Sequence, residues 1–135
     1  MLKKLVLGTL AGLTLFSSLA LAEFDRTKWY KIRPLRDDGK VYDICGRSYE
    51  DCSQVILYDD NNTDNQKFKF KKTMWGTYTI HPMHEPTKVL DIAEGKAEHG
   101  TPLILYHTNA NNYSRSKNQE FNLSRIGGDL YRIVM

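Results

Sequence analysis

The sequence predicts an all-β domain, and three observations carry that expectation. Outside the first 22 residues, apolar side chains come in bursts of three to five, rich in Val, Ile, Tyr and Phe, at 29–32, 41–44, 55–58 and 68–70. Clusters of turn residues separate them, such as Asp37-Asp38-Gly39 and the run Asp59-Asp60-Asn61-Asn62-Thr63-Asp64. The whole pattern then recurs. Lys40-Val41-Tyr42-Asp43-Ile44 returns 48 positions later as Lys88-Val89-Leu90-Asp91-Ile92. The same offset carries Tyr30-Lys31-Ile32-Arg33-Pro34 onto Tyr78-Thr79-Ile80-His81-Pro82, and Val55-Ile56-Leu57-Tyr58 onto Leu103-Ile104-Leu105-Tyr106. One offset shared by three separated blocks marks an internal repeat.

The chain opens with a stretch that reads as an export signal. Lys3 and Lys4 form a basic start, residues 5–16 an apolar middle, and Ala20-Leu21-Ala22 presents small residues where a signal peptidase reads, with cleavage expected after Ala22. The apolar run falls short of the ~20 residues of a permanent membrane helix. The rival reading is an uncleaved anchor. Processing leaves 113 of the 135 residues, enough for one domain with one core. It also removes two of the 19 basic residues and none of the 16 acidic ones, so the mature net charge is +1. That near-neutral total gives no reason to expect nucleic acid or anionic lipid as ligand. No later segment is long and apolar enough to span a bilayer as a helix, and the expected location is periplasmic or secreted.

Each repeat supplies four short strands. The first spans about 27–74 and the second about 75–127. No window outside the leader keeps a helical stripe, although the gaps at 47–53 and 94–100 have room for one short turn of helix. Asn65-Gln66-Lys67-Phe68 pairs with Asn118-Gln119-Glu120-Phe121 at an offset of 53 rather than 48, which places a five-residue insertion in the polar stretch 108–117, on a surface loop. The new offset also matches Gly76-Thr77-Tyr78-Thr79-Ile80 to Asp129-Leu130-Tyr131-Arg132-Ile133, so a third repeat starts near Gly128 and contributes one strand, over 128–135. Strands of this number and spacing suit a closed or sandwich-like β architecture. The period-two rule puts Ile32, Ile80, Val41, Val89, Phe68, Phe121, Leu57 and Leu105 in the core and turns Tyr58 and Tyr106 outward. Trp29 and Trp75 flank strands and read as capping residues.

Cys45 and Cys52 are the only cysteines, an even number in a chain bound for an oxidising compartment. A disulfide between them is expected, closing a short loop worth roughly 2 to 3 kcal/mol in the chain-entropy model. A metal or redox pair is the alternative, which the spacing does not favour. His81, His84, His99 and His107 show no zinc-ligand spacing with a third ligand, so no metal and no cofactor are expected.

Taken together, Tyr-x-Ile, Val-Leu-Asp-Ile, Ile-Leu-Tyr and Asn-Gln-x-Phe, in that order and twice over, resemble the ricin-type (R-type) lectin family. The resemblance covers nearly all of the chain from Trp29 onward. Its hallmark Gln-x-Trp stands here as Gln66-Lys67-Phe68 and Gln119-Glu120-Phe121, with phenylalanine for tryptophan. The resemblance implies a β-trefoil, here two full repeats plus the first strand of a third, and a carbohydrate ligand. It also implies the site residues: Asp43 and Asp91 to accept from sugar hydroxyls, Tyr58 and Tyr106 to stack on the ring, and Asn65 and Asn118 to add hydrogen bonds. Gln66 and Gln119 either support the site or pin the repeat. A further polar position on the third strand is held by Ile56 and Ile104 instead.

The chemistry agrees with that implication. A carboxylate takes two sugar hydroxyls in charge-assisted bonds. A tyrosine face covers the C–H patch, and an asparagine amide both donates and accepts. Structural readings stand beside these: an aspartate holding its own turn, a tyrosine that only packs. A glycosidase needs two carboxylates about 5 to 9.5 Å apart, whereas Asp43 and Asp91 belong to different repeats, so no enzyme is expected. The alternative function is a protein-binding recognition subunit of a secreted toxin or surface complex. A protein partner or a second copy would then complete the third repeat.

Overall fold

The computed structural model describes residues 4–7, 24–36, 39–96, 98–109 and 116–134. Most of the leader, the Asp37-Asp38 pair and the greater part of the polar insertion at 108–117 lie outside the described residues.

Among the described residues there are ten strands, and the repeat is visible in their order. β1 is Lys4–Leu7. The first repeat forms β2 (Lys31–Pro34), β3 (Lys40–Ile44), β4 (Ser53–Asp59) and β5 (Phe68–Lys72). The second forms β6 (Tyr78–Pro82), β7 (Lys88–Ile92), β8 (Leu103–His107) and β9 (Asn122–Gly127), and β10 (Leu130–Val134) opens the third. β3 and β4 pair antiparallel from Lys40 opposite Asp59 to Ile44 opposite Val55, and β7 and β8 do the same from Lys88 opposite His107 to Ile92 opposite Leu103. A short contact of β4 with β8, at Ser53 and Gln54, joins the hairpins into a four-stranded sheet in the order β3-β4-β8-β7. The hairpins β5-β6 and β9-β10 lead from each repeat into the next. Isolated bridges, Tyr30 to Phe68 and Tyr78 to Phe121, tie the first strand of each repeat to its last.

The helical turns are 3-10 and sit slightly earlier than expected, at Cys45–Arg47 and Ala93–Gly95, with a second pair at Asp64–Gln66 and Lys117–Gln119. The first pair turns through two successive left-handed residues in each repeat: Gly46 (φ 65) and Arg47 (φ 53), then Glu94 (φ 57) and Gly95 (φ 65). The glycine has changed places between repeats. Each turn therefore carries one side chain in the left-handed region, at a cost of roughly 1 kcal/mol or more.

The core gathers at the repeat axis. Tyr30, Tyr78 and Tyr131, equivalent residues of the three repeats, all meet the ring of Phe24, at centroid distances of 5.2, 5.7 and 5.0 Å. Phe24 also stacks on Phe70 at 4.4 Å. Ile32, Ile80, Val41, Val89, Phe68, Phe121 and Leu105 are buried as the alternation predicted. Leu57 is not, at 51% exposed. β8 lies between β4 and β7, whereas β4 meets β8 only at its start. Among the described residues, the outer half of β4, with Leu57 and Tyr58, consequently has no strand on its far side.

The expected disulfide is also corrected: Cys45 and Cys52 are both free and exposed. The connection between them is a folded turn rather than a slack loop. Cys45 starts the left-handed turn, while Cys52 has φ 67 and donates its backbone N–H to Leu105 O at 2.9 Å. Cys52 is thereby committed to the neighbouring repeat. Spacing in sequence carries no information about such directions.

β1 falls within the expected leader, yet its backbone runs parallel to β2, from Lys4 opposite Lys31 to Leu7 opposite Pro34, and approaches β10. It lies between the first strand of repeat one and the first strand of repeat three. Cleavage after Ala22 would remove it and leave β2 with a free edge.

Candidate functional site

The two repeats build the same hydrogen-bonded frame. Gln66 donates to Asp43 Oδ2 at 2.8 Å and to Asp59 O at 2.8 Å, and accepts from Asn61 N–H at 3.0 Å. Gln119 donates to Asp91 Oδ2 at 2.7 Å and to His107 O at 2.9 Å, and accepts from Asn109 N–H at 2.9 Å. Both glutamine side chains are fully buried. Each ties the end of the third strand, the loop after it and the aspartate of the second strand into one unit. Their amides are consumed internally, in holding Asp43 and Asp91 against the end of the third strand.

The frames diverge at the asparagine. In both repeats its carbonyl accepts from a hydroxyl two residues earlier, Thr63 Oγ1 to Asn65 at 2.6 Å and Ser116 Oγ to Asn118 at 2.9 Å. Asn65 then donates to Ile44 O at 3.0 Å and is buried. Asn118 donates instead to Asp91 Oδ2 at 2.8 Å. Gly95 stands beside it: a Cβ there would lie 3.7 Å from Asn118 Cβ. Arg47 occupies the equivalent place in the first repeat.

Asp91, Tyr106 and Asn118 line a cavity of about 480 Å³, together with Asn109, Glu94 and the apolar Ala93, Pro102 and Ile104. Cys52 and Gln54 complete its wall from the first repeat, across the contact of β4 with β8. Two amides converge on Asp91 Oδ2, and Oδ1 has no partner among the described residues. The Glu94 carboxyl is held below its usual range by its hydrogen bond to Lys96. Asp43, Tyr58 and Asn65 line no part of this cavity. Of the eight residues expected at sugar sites, the structure therefore brings three together and puts a fourth, Gln119, behind them.

Sequence reasoning missed Asn109, Glu94, Gln54 and Cys52. Asn109 was within reach, because it repeats Asn61 at the 48-residue offset. Gln54 and Cys52 arrive through tertiary pairing and left no signal. Among the described residues no cluster of His, Cys, Asp and Glu could hold a metal. His107 bonds Asp51 Oδ2 through Nδ1 at 2.7 Å.

Repeat-related hairpins around a shared aromatic axis, with a cleft lined by one repeat's third strand, define a β-trefoil domain. Comparison with known families agrees. The chain belongs to the Ricin-type beta-trefoil lectin domain-like family, whose profile matches residues 22–106. Among solved structures it is similar to ThreeFoil, a designed 3-fold symmetric protein, with 29% identity, a TM-score of 0.67, and coverage of 78% of this chain and 71% of that one. It is also similar to parts of two longer proteins. One is a mosquitocidal holotoxin: 20% identity, TM-score 0.61, 84% of this chain and 12% of that one. The other is the exo-beta-1,3-galactanase 1,3Gal43A of Clostridium thermocellum: 23% identity, TM-score 0.61, 85% of this chain and 21% of that one. At those identities the likeness is one of fold. Comparison with curated proteins finds no match.

Proposed function

We propose that this chain is an exported carbohydrate-binding domain whose sugar site is the second-repeat cavity. The observation that carries the reading is the Asp91 carboxylate, fixed through Oδ2 by two amides, with Oδ1 unpartnered among the described residues in a cleft that also holds Tyr106 and Asn118. A fixed carboxylate accepts vicinal hydroxyls without losing further conformational freedom. Tyr106 and Ile104 supply the apolar face for the C–H side of a ring, and Asn109 and Gln54 add amide groups at the wall. Such a site is open and mixes apolar with polar surface, and its affinity gains from display in several copies.

Binding suits these residues better than hydrolysis. A glycosidase acid needs a raised pKa, whereas Glu94, the carboxyl nearest in sequence to Asp91 on this wall, is pulled down by Lys96. The first repeat is proposed to be structural: Asp43 is buried against Gln66, and Asn65 is turned away to Ile44. A glycan array probed with the protein, Asp91→Asn and Asp43→Asn tests both halves. Loss of binding in folded Asp91→Asn, with retention in Asp43→Asn, is expected. Retention in Asp91→Asn refutes the site.

A protein-binding reading is favoured by one feature, the β2 edge that leader removal would expose. An open edge accepts a strand from another chain. A processed protein that binds no glycan and forms a stable complex through residues 31–34 would establish that reading instead.

A further inference from the structure

The near-neutral total charge conceals an uneven distribution. Between Asp64 and Glu85 the chain contains no acidic residue, while Lys67, Lys69, Lys71 and Lys72 crowd β5 and its approach. Lys71 and Lys72 are exposed, and Lys69 lies over the Trp29 ring at 4.2 Å. The strand ends in the β5-β6 turn, whose tip carries Met74, 78% exposed, and Trp75, 53% exposed. Two large apolar side chains at the summit of a basic hairpin are costly to leave in water.

The turn does not require them. Its repeat equivalent, at the β9-β10 turn, is Ile126-Gly127-Gly128-Asp129, with two glycines where the first turn has Met74 and Trp75. The strand before it replaces Lys69 and Lys71 with Asn122 and Ser124. Nor is the tip loose. Thr73 N–H bonds Thr77 O at 2.8 Å, the two threonine hydroxyls meet at 2.7 Å, and Trp75 N–H bonds Thr73 Oγ1 at 3.2 Å. Thr77 Oγ1 is anchored in turn on the buried Glu120 carboxylate at 2.5 Å. The apolar pair is thus presented outward on a built support.

We infer that the Met74-Trp75 tip docks this domain on an anionic lipid surface, with the β5 lysines facing the headgroups. Indole and thioether suit the interfacial region, and lysines near an anionic surface add attraction that fades within a Debye length. The surface is separate from the sugar cavity, so neither proposal depends on the other.

The test is co-sedimentation of the purified natural protein with phosphatidylcholine vesicles, with and without phosphatidylglycerol. Binding is expected to the anionic vesicles and to weaken with salt. Met74→Ser/Trp75→Ser and Lys71→Gln/Lys72→Gln should each lower partitioning roughly tenfold, with unchanged circular dichroism and unchanged glycan binding. Absence of binding overturns the inference, as does binding that survives both variants, which would trace to the leader. A tip variant that loses self-association while the natural protein ignores both kinds of vesicle overturns it in favour of a protein contact.

Discussion

Replacing Gln119 by alanine removes three hydrogen bonds at once, those to Asp91, His107 and Asn109. The two bonds to backbone groups are worth about 1 kcal/mol each, and the one to the carboxylate about 1.5 kcal/mol or more. Asn118 still holds Asp91 Oδ2, and Asn109 is exposed, so water replaces part of the loss. A destabilisation of about 3 kcal/mol is expected, a fall of about 10 °C or more in Tm for a domain of this size. Gln66→Ala breaks the equivalent three bonds but leaves buried Asp43 with no other side-chain donor among the described residues. Its loss should be the larger of the two. Thermal or urea unfolding of both variants measures this, and a glycan titration adds the functional half: Gln119→Ala weakens binding by loosening Asp91, whereas Gln66→Ala leaves it intact wherever the domain remains folded. A cost below about 1 kcal/mol for either variant would refute the view that these amides hold the repeats together.

Stability should fall on mild acidification because of His81. Burial, with Lys71 adding to it, lowers its pKa from 6.5 to about 4. Its ring lies between Thr79 Oγ1 at 2.9 Å and Pro86 O at 3.0 Å. The unfolded chain takes up the proton first, so the contribution is complete above pH 6.5 and lost as pH falls towards 4, by about 3 kcal/mol in all. Urea unfolding across that window should show the slope, and His81→Gln should flatten it; an unchanged slope in the variant rules the histidine out. The carboxyls of Asp25, Asp51 and Asp60 are held low and act in the more acidic range, so they do not mask it. Both thiols should react with a thiol reagent in the native protein, since Cys45 and Cys52 are free and exposed. A count near zero that rises after reduction would restore the disulfide.

The sequence by itself determined the strands, their fourfold grouping and the repeat. Period-two alternation and turn chemistry are local, and a duplicated block declares itself at a constant offset. It also offered Asp91, Tyr106 and Asn118 together with Asp43, Tyr58 and Asn65, as equals. Tertiary structure gives the two sets different surroundings. The side-chain amide of Asn65 turns to a backbone carbonyl and that of Asn118 to a carboxylate, while position 47 holds arginine where position 95 holds glycine. Leu57 and Leu105 were likewise indistinguishable until β8 proved to be an inner strand and the far half of β4 an open one. Phe24, Cys52 and Gln54 took their roles only from neighbours distant in sequence. Local pattern specifies which way a side chain points along its own strand; what stands opposite it depends on how the repeats close on one another.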